Sequence, residues 1–64
     1  MNDFGPAVRK ILRENGCWLH RQGKGDHEIW LSPLSKIPIT VDQKIKSRHT
    51  ANAVLKQAGL PKAF

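Results

Sequence analysis

Apolar residues recur at helical spacing near the start of the chain. Val8, Ile11 and Leu12 follow the i, i+3, i+4 pattern of one helix face, and the charged residues between them fall elsewhere around the helix. The proline just before this stripe suits the first turn of a helix, because its missing N–H would have no partner there. An asparagine followed by a glycine, at residues 15–16, is a typical helix stop. The pattern predicts a first helix over residues 6–15.

Apolar and polar residues alternate in the middle of the chain, which is the period of a β-strand. Glycine-rich and proline-containing segments interrupt the alternation and predict turns. The third alternating segment places Ile37, Ile39 and Val41 on one face. Pro38 cannot donate a backbone hydrogen bond, so this strand is predicted at a sheet edge or unpaired at that position. The predicted strands cover residues 17–22, 27–31 and 37–42, joined by a hairpin loop at residues 23–26 and a connection at residues 32–36.

A second helix is predicted near the C-terminus. The side-chain oxygen of Ser47 or Thr50 can cap its first turn by accepting from a free backbone N–H. Residues 53–55 supply a short apolar face, and residues 58–59 close the helix. The tail ends in Phe64, which either folds back onto the core or frays. The order is thus α-β-β-β-α, an α+β fold in which a three-stranded antiparallel meander carries both helices on one face.

The chain is short and strongly basic. With 64 residues it forms a single domain, residues 1–64, whose core is too small to enclose a deep cofactor pocket. Eleven Lys and Arg residues against five Asp and Glu residues give a net charge of +6. This balance favours a polyanionic partner, with nucleic acid ahead of an anionic membrane surface, and an acidic protein partner is the remaining alternative. After Asp42 every charged side chain is basic.

Composition argues against several kinds of site. A single cysteine, Cys17, permits no intrachain disulfide and no cysteine cluster for zinc, which favours a reducing, cytoplasmic location. The three histidines lack metal-ligand spacing, so no metal and no small-molecule cofactor are expected. No apolar run approaches the roughly 20 residues of a membrane-spanning helix, and the N-terminal segment lacks the apolar region of a signal peptide.

A histidine follows a glycine-flanked hairpin loop in the segment RQGKGDH. Gly23 and Gly25 remove side chains near His27, so a phosphate can approach the backbone and loop N–H groups can form an anion site. Arg21 and Lys24 add positive charge. His27 can take and give a proton near neutral pH, as acid–base cleavage of an RNA phosphodiester requires, while cations stabilise the phosphorane. The alternative role is structural, a hydrogen bond from His27 to a loop carbonyl that holds the hairpin.

A second basic segment precedes the predicted C-terminal helix. Lys44, Lys46 and Arg48 alternate along it and can track phosphates. The simpler alternative is a solvated face, because runs of like charge usually lie in solvent. If the segment does contact RNA, it extends the positive surface that begins at the hairpin. The predicted substrate-binding set is Arg21, Lys24, Gly25, Lys44, Lys46 and Arg48.

One tryptophan lies on each of the first two predicted strands. Trp18 alternates with Cys17 and Leu19 on the first strand, and Trp30 lies on the second. Core packing or a cross-strand aromatic pair is one explanation. An exposed stacking platform for unpaired bases, or an apolar docking surface for a protein, is the other. Cys17 is predicted to be a small core residue.

Together these segments resemble the HicA-type toxins, small mRNA interferases of HicAB toxin–antitoxin pairs. The resemblance covers nearly the whole chain, and the length is similar as well. A glycine–any–histidine signature lies at its centre, and the closing Lys-Gln-Ala-Gly-Leu makes the match more specific. The matching segments are Asn15-Gly16, Arg21-Gln22, Gly25-Asp26-His27, Ile29-Trp30, Ile39-Thr40-Val41 and residues 55–60.

The resemblance implies a fold similar to a double-stranded-RNA-binding domain, which agrees with the predicted element order. It also implies a toxin that cleaves mRNA as a metal-independent endoribonuclease, inhibits translation and is neutralised by a HicB-type antitoxin. The catalytic histidine of the family falls on His27. The position before it is often serine in the family and is Asp26 here. The Asp26 carboxylate can orient the imidazole or simply form the turn.

Two other functions remain open on the sequence. A non-catalytic RNA-binding module of the same fold would need the basic surface but not His27. A DNA-binding module would read a duplex through Arg48 and Asn52 on the second helix. The DNA-binding alternative ranks last, because a single short helix after a sheet is a poor reader of the major groove.

Overall fold

The computed structural model describes residues 3–64 and shows an α+β fold in the predicted order α-β-β-β-α. The elements are α1 (Gly5–Glu14), β1 (Trp18–Gln22), β2 (His27–Ser32), β3 (Ser35–Asp42) and α2 (Arg48–Gln57). The strands form an antiparallel meander with β2 in the centre, and both helices pack on one face of it. Within the described residues no helix is both long and apolar enough to cross a membrane.

α1 forms as its apolar stripe predicts. Val8 and Leu12 are buried, and Ile11 packs partly against the core. The helix ends at Asn15, whose backbone N–H caps the last turn. Gly16 then takes a φ of +81°, a left-handed conformation that residues with a Cβ rarely adopt. The predicted stop signal is therefore confirmed.

α2 begins at the first of the two predicted caps. The hydroxyl of Ser47 accepts a hydrogen bond from the His49 backbone N–H at 3.1 Å, and Thr50 lies inside the helix. The predicted apolar face is wrong at one position, because Ala53 is exposed. Helical spacing explains the difference, since the buried residues recur every three or four positions. They are Ala51, Val54, Leu55 and Ala58.

The C-terminal tail folds back onto the domain. The ring of Phe64 packs edge-on against that of Phe4, with 5.1 Å between centroids. The side-chain oxygen of Asn52 accepts from the backbone N–H groups of Ala63 and Phe64 at 3.2 and 3.1 Å. Its amide nitrogen donates to the Phe64 carbonyl at 3.0 Å. Asn52, which the DNA-binding alternative needs for base readout, thus holds the tail.

The core lies between the helices and one face of the sheet. Trp30 is only 1% exposed and Cys17 is buried, so the core prediction is confirmed for both. The predicted cross-strand tryptophan pair is wrong, because Trp18 lies opposite Leu31 and Leu19 lies opposite Trp30. The core consists of Val8, Leu12, Cys17, Trp30, Ile39, Val41, Ile45, Ala51, Val54, Leu55, Ala58 and Leu60.

The connection between β2 and β3 is shorter than the sequence predicts. β2 extends to Ser32 and β3 begins at Ser35, which leaves a two-residue turn in place of a loop over residues 32–36. The Ser32 hydroxyl stabilises this turn: it accepts from the Leu34 N–H at 3.1 Å and donates to the Ala58 carbonyl at 2.8 Å. The turn is thereby tied to the end of α2.

Irregular strand pairing changes which apolar residues are buried. β3 is an edge strand, as Pro38 predicts, and its register against β2 shifts near the turn. Ile37 falls in the shifted part and is 68% exposed, so it does not share the buried face of Ile39 and Val41 as predicted. A second shift, in edge strand β1, accompanies the exposure of Leu19.

Candidate active site

His27 lies on the face of the sheet that the helices leave open. Trp30, Ile39 and Val41 are buried under the helices, and successive side chains of a strand alternate between faces. His27 is an odd number of positions from Trp30 and therefore belongs to the opposite side, here called the outer face. It is the first residue of β2 and pairs directly with Asp42, the last residue of β3.

The imidazole of His27 contacts the carboxylate of Asp42. The distance from Nδ1 of His27 to Oδ1 of Asp42 is 2.6 Å, and the two side chains are 50% and 46% exposed. A short contact of this kind is a charge-assisted hydrogen bond in which Nδ1–H donates to the carboxylate. Because water reaches both groups, the pair lies in the open and remains accessible to a large ligand.

An open cleft of about 400 Å³ adjoins this pair. Its lining residues are Asp26, His27, Asp42, Gln43 and Lys44. It therefore combines a group that can transfer protons, a carboxylate in contact with it, and an ammonium group from the link between β3 and α2. Two carboxylates and one lysine line it, so an anionic ligand needs further cations from outside the cleft.

The glycine hairpin fixes the backbone of His27. The His27 carbonyl accepts from the Gly23 N–H at 2.8 Å and from the side-chain amide of Gln22 at 2.9 Å. A Cβ at Gly23 would meet the His27 carbonyl oxygen at 3.1 Å, so glycine permits the close approach. Gly25 takes a φ of +66° with open space around its α-carbon, and the tight turn requires that conformation.

Arg9 of α1 ties the end of β3 to β2. Its Nη2 donates to the Asp42 carbonyl at 3.0 Å and to the Gln43 carbonyl at 3.3 Å, and its Nε donates to Oε1 of Glu28 at 3.0 Å. The same Glu28 oxygen accepts from the Trp30 indole N–H at 3.0 Å. The hydrogen bond from the indole N–H, followed in size by the one from the guanidinium, holds the pKa of Glu28 below its ordinary value. A continuous hydrogen-bonded chain thus runs from the buried tryptophan to the residue that contacts the histidine.

The link that carries Lys44 is held by the N-terminal segment. The Asp3 carboxylate accepts from the N–H groups of Gly5 and Ile45 at 2.9 and 3.1 Å, and these bonds hold the pKa of Asp3 below its ordinary value. The Ile45 carbonyl accepts from the Phe4 N–H at 2.7 Å, and the Ile45 side chain is buried. Lys44 is thereby fixed beside the cleft by its neighbour in sequence.

The predicted site residues fall into two groups. Lys44 lines the cleft with His27, and Lys24 and Gly25 lie in the hairpin that leads to the histidine. Arg21 of β1 lies opposite Ile29 of β2, and this pairing places Arg21 on the outer face. These four residues come from three segments of the chain: β1, the hairpin and the link before α2.

Lys46 and Arg48 lie outside the lining of the cleft. Both are exposed, Lys46 in the link and Arg48 at the first position of α2. Ser47, between them, points its hydroxyl at the helix N-terminus, so the segment also serves to start α2.

Sequence reasoning missed the residue that contacts the histidine. Asp26 is the candidate that the sequence offers for orienting the imidazole, whereas the imidazole of His27 contacts the carboxylate of Asp42. The available signal was the pairing of two antiparallel strands. A regular ladder continued from the Ser32–Ser35 pair would place Thr40 opposite His27, and the register shift places Asp42 there. That irregularity cannot be inferred from alternation alone.

A comparison with protein families covers nearly all of this structure. The model of a family described as the HicA toxin of bacterial toxin–antitoxin matches residues 5–60. The chain belongs to the HicA toxin family. The match spans both helices and all three strands, and it includes the His27–Asp42 pair. The protein is thus a toxin of a toxin–antitoxin system, whose partner is an antitoxin. No curated protein and no solved structure matches the chain.

Proposed function

We propose that this HicA family toxin is a metal-independent endoribonuclease that cleaves mRNA, with His27 as general acid and base. The observation that carries the proposal is the His27–Asp42 pair beside a cleft that Lys44 also lines. Toxins of this family are generally ribonucleases. A histidine, a carboxylate in contact with it and a nearby cation are sufficient groups for phosphodiester cleavage by the neighbouring ribose hydroxyl.

The contact with Asp42 assigns separate roles to the two imidazole nitrogens. With Nδ1–H donated to the carboxylate, neutral His27 carries its lone pair on Nε2. Nε2 removes the proton of the ribose 2′-OH, whose oxygen attacks the adjacent phosphorus. The bond from phosphorus to the 5′-oxygen then breaks, and the imidazolium returns its proton to that leaving oxygen. The products are a 2′,3′-cyclic phosphate and a 5′-hydroxyl.

Positive charge around the histidine offsets the carboxylates of the cleft. Lys44 is the lysine of the cleft lining, and in this proposal it stabilises the phosphorane. Lys24 in the hairpin and Arg21 on the outer face bind neighbouring phosphates, and Lys46 and Arg48 continue the basic surface. With one histidine alternating between base and acid, turnover is expected to be slow for a ribonuclease.

An antitoxin of the HicB type inhibits this activity by covering the outer face. Because His27 is half-exposed, a bound protein can exclude RNA without any rearrangement of the toxin. The net charge of +6 favours an acidic surface on that partner. The site of action is the cytoplasm, where mRNA is translated.

The test is cleavage of a mixed mRNA pool by the purified protein in the presence of EDTA. His27→Ala should abolish cleavage and leave RNA binding nearly intact. His49→Ala is the matched control, because His49 is exposed on α2 outside the cleft lining, and it should cleave like the native protein. If neither the native protein nor His27→Ala cleaves while both bind RNA equally, the non-catalytic binding module is the correct function.

A further inference from the structure

Trp18 presents an aromatic ring on the same face of the sheet as the histidine. Trp18 pairs directly with Leu31 on β2, and Leu31 and His27 are four residues apart on that strand. An even separation along a strand places side chains on one face. The two tryptophans therefore differ: Trp18 is 49% exposed on the outer face, and Trp30 is 1% exposed beneath the helices.

The surface between Trp18 and His27 combines partly buried apolar residues with a basic side chain. Ile29 and Leu31 are partly buried and form its floor, and Arg21 lies directly opposite Ile29. Leu31 and His27 are four residues apart on β2, which corresponds to about 13 Å along the strand at the usual rise per residue. An aromatic ring, a guanidinium and the histidine thus follow one another across the outer face. An extended single strand of RNA has the bases and phosphates that match these groups.

We propose that Trp18 is a stacking subsite for an unpaired base of the RNA, near the phosphate that His27 cleaves. This subsite rests on the proposed ribonuclease function and specifies its substrate as single-stranded. Stacking on tryptophan is tolerant of base identity, because every base has a π-face. A duplex hides its base faces, so it cannot use Trp18 in this way.

Charge and position favour RNA over a protein as the occupant of this surface. The proposed catalytic groups lie on the same face, and Arg21 contributes positive charge between them and Trp18. The total charge of +6 attracts a phosphate backbone. Among the large apolar side chains of residues 3–64, Leu34 and Ile37 are the most exposed, and they belong instead to the β2–β3 turn and the shifted start of β3. Ile37 therefore serves as a control for general loss of apolar surface.

The experiment measures RNA binding by the full chain in the His27→Ala background, where cleavage does not interfere. The probe is a single-stranded oligouridylate, and the matched probe carries the same phosphates with abasic riboses. Trp18→Ala should weaken binding of the oligouridylate about tenfold and leave binding of the abasic strand unchanged. Trp18→Phe should weaken it less, because a smaller ring still stacks. Ile37→Ala should bind both probes like the parent.

Tryptophan fluorescence supplies a second readout. The chain has two tryptophans and one is buried, so oligouridylate should quench emission in the parent and not in Trp18→Phe. Equal loss of affinity for both probes in Trp18→Ala would overturn the stacking subsite, and so would unchanged affinity for oligouridylate. An antitoxin that loses affinity for Trp18→Ala while RNA binding is retained would instead make this surface a protein-docking site.

These results are independent of whether the protein cleaves RNA. Failure of the native protein to cleave refutes the ribonuclease function, and selective loss of base-dependent binding still supports the subsite. Circular dichroism of Trp18→Ala should match the parent, because half of the side chain lies in solvent and it is not among the core residues. If that variant is unfolded, Trp18→Phe tests the stacking subsite through its affinity for oligouridylate and through the quenching of its fluorescence.

Discussion

The substitution Asp42→Asn removes one negative charge at the His27 contact and preserves the shape of the side chain. The native carboxylate accepts from Nδ1–H at 2.6 Å and favours the tautomer that leaves Nε2 free to act as a base. The asparagine oxygen can accept from Nδ1–H of His27, but more weakly than the carboxylate does. If the amide nitrogen faces Nδ1 instead, it donates to that atom and selects the wrong tautomer. We therefore expect Asp42→Asn to slow the chemical step.

The expected size follows from the exposure of the pair. A buried triad loses about 10⁴-fold in kcat when its aspartate becomes asparagine. Here both side chains are about half exposed, at 50% and 46%, and water screens their attraction. A hydrogen bond to a charged group, discounted for that screening, contributes about 1–2 kcal/mol. This corresponds to a decrease of about 5- to 30-fold in kcat.

The assay compares kcat and KM for cleavage of one RNA by Asp42→Asn and by Asp26→Asn. Both variants remove a carboxylate from the cleft lining, and of the two residues Asp42 is the one whose carboxylate contacts the His27 imidazole. Asp26→Asn should retain kcat, with KM unchanged or lower because repulsion of the phosphate decreases. Equal kcat values for the two variants would show that the contact has no role in positioning His27. A loss near 10⁴-fold would refute the argument from solvent screening.

Three other predictions concern the support of the site. Arg9→Met should lower the free energy of unfolding by about 1–3 kcal/mol, because Glu28 and the carbonyl of Asp42 lose the hydrogen bonds that Arg9 donates. Urea unfolding measures this, and Lys10→Met, at an exposed position, should change little. The pKa values of Glu28 and Asp3 are lowered by folding, so their stabilisation is fully present above about pH 4.5 and is lost as the pH falls through the folded values. The melting temperature of Glu28→Gln should therefore fall less steeply than that of the native protein as the pH is lowered through this range. Gly25→Ala should cost about 1 kcal/mol of stability, because φ is +66° there, and no change in melting temperature would contradict this.

Local pattern was sufficient to predict the elements of this fold. Helical spacing at Val8 and Leu12, the Asn-Gly stop and the glycine hairpin are local features, and each leads to an element near its predicted bounds. Burial was harder to predict, because it depends on which elements meet. Ala53 and Ile37 are apolar and exposed, since one lies on the solvent side of α2 and the other in a shifted register.

The candidate site was predictable only in its local part. His27 and its hairpin lie within a few residues of one another, so the sequence shows them together. Asp42 reaches His27 through a register shift in β3, and Arg9 reaches the same strand end across 33 residues of chain. Such contacts are set by tertiary packing, and neither alternation nor residue type reports them. Charge predicts the same role for Lys44 and Lys46, whereas in the fold Lys44 lines the cleft and Lys46 does not.

The arrangement of this site follows from the size of the domain. A small core cannot surround a substrate, so the proposed catalytic group, His27, lies on an open sheet face, and the residues that support it lie on the opposite side of the sheet. That support is the chain of hydrogen bonds from Trp30 through Glu28 and Arg9 to the backbone of Asp42. An open site of this kind suits a polymer that lies across the surface and does not need to enter a pocket. The same openness suits the proposed inhibition by an antitoxin, since a protein that covers His27 would exclude RNA from the proposed site directly.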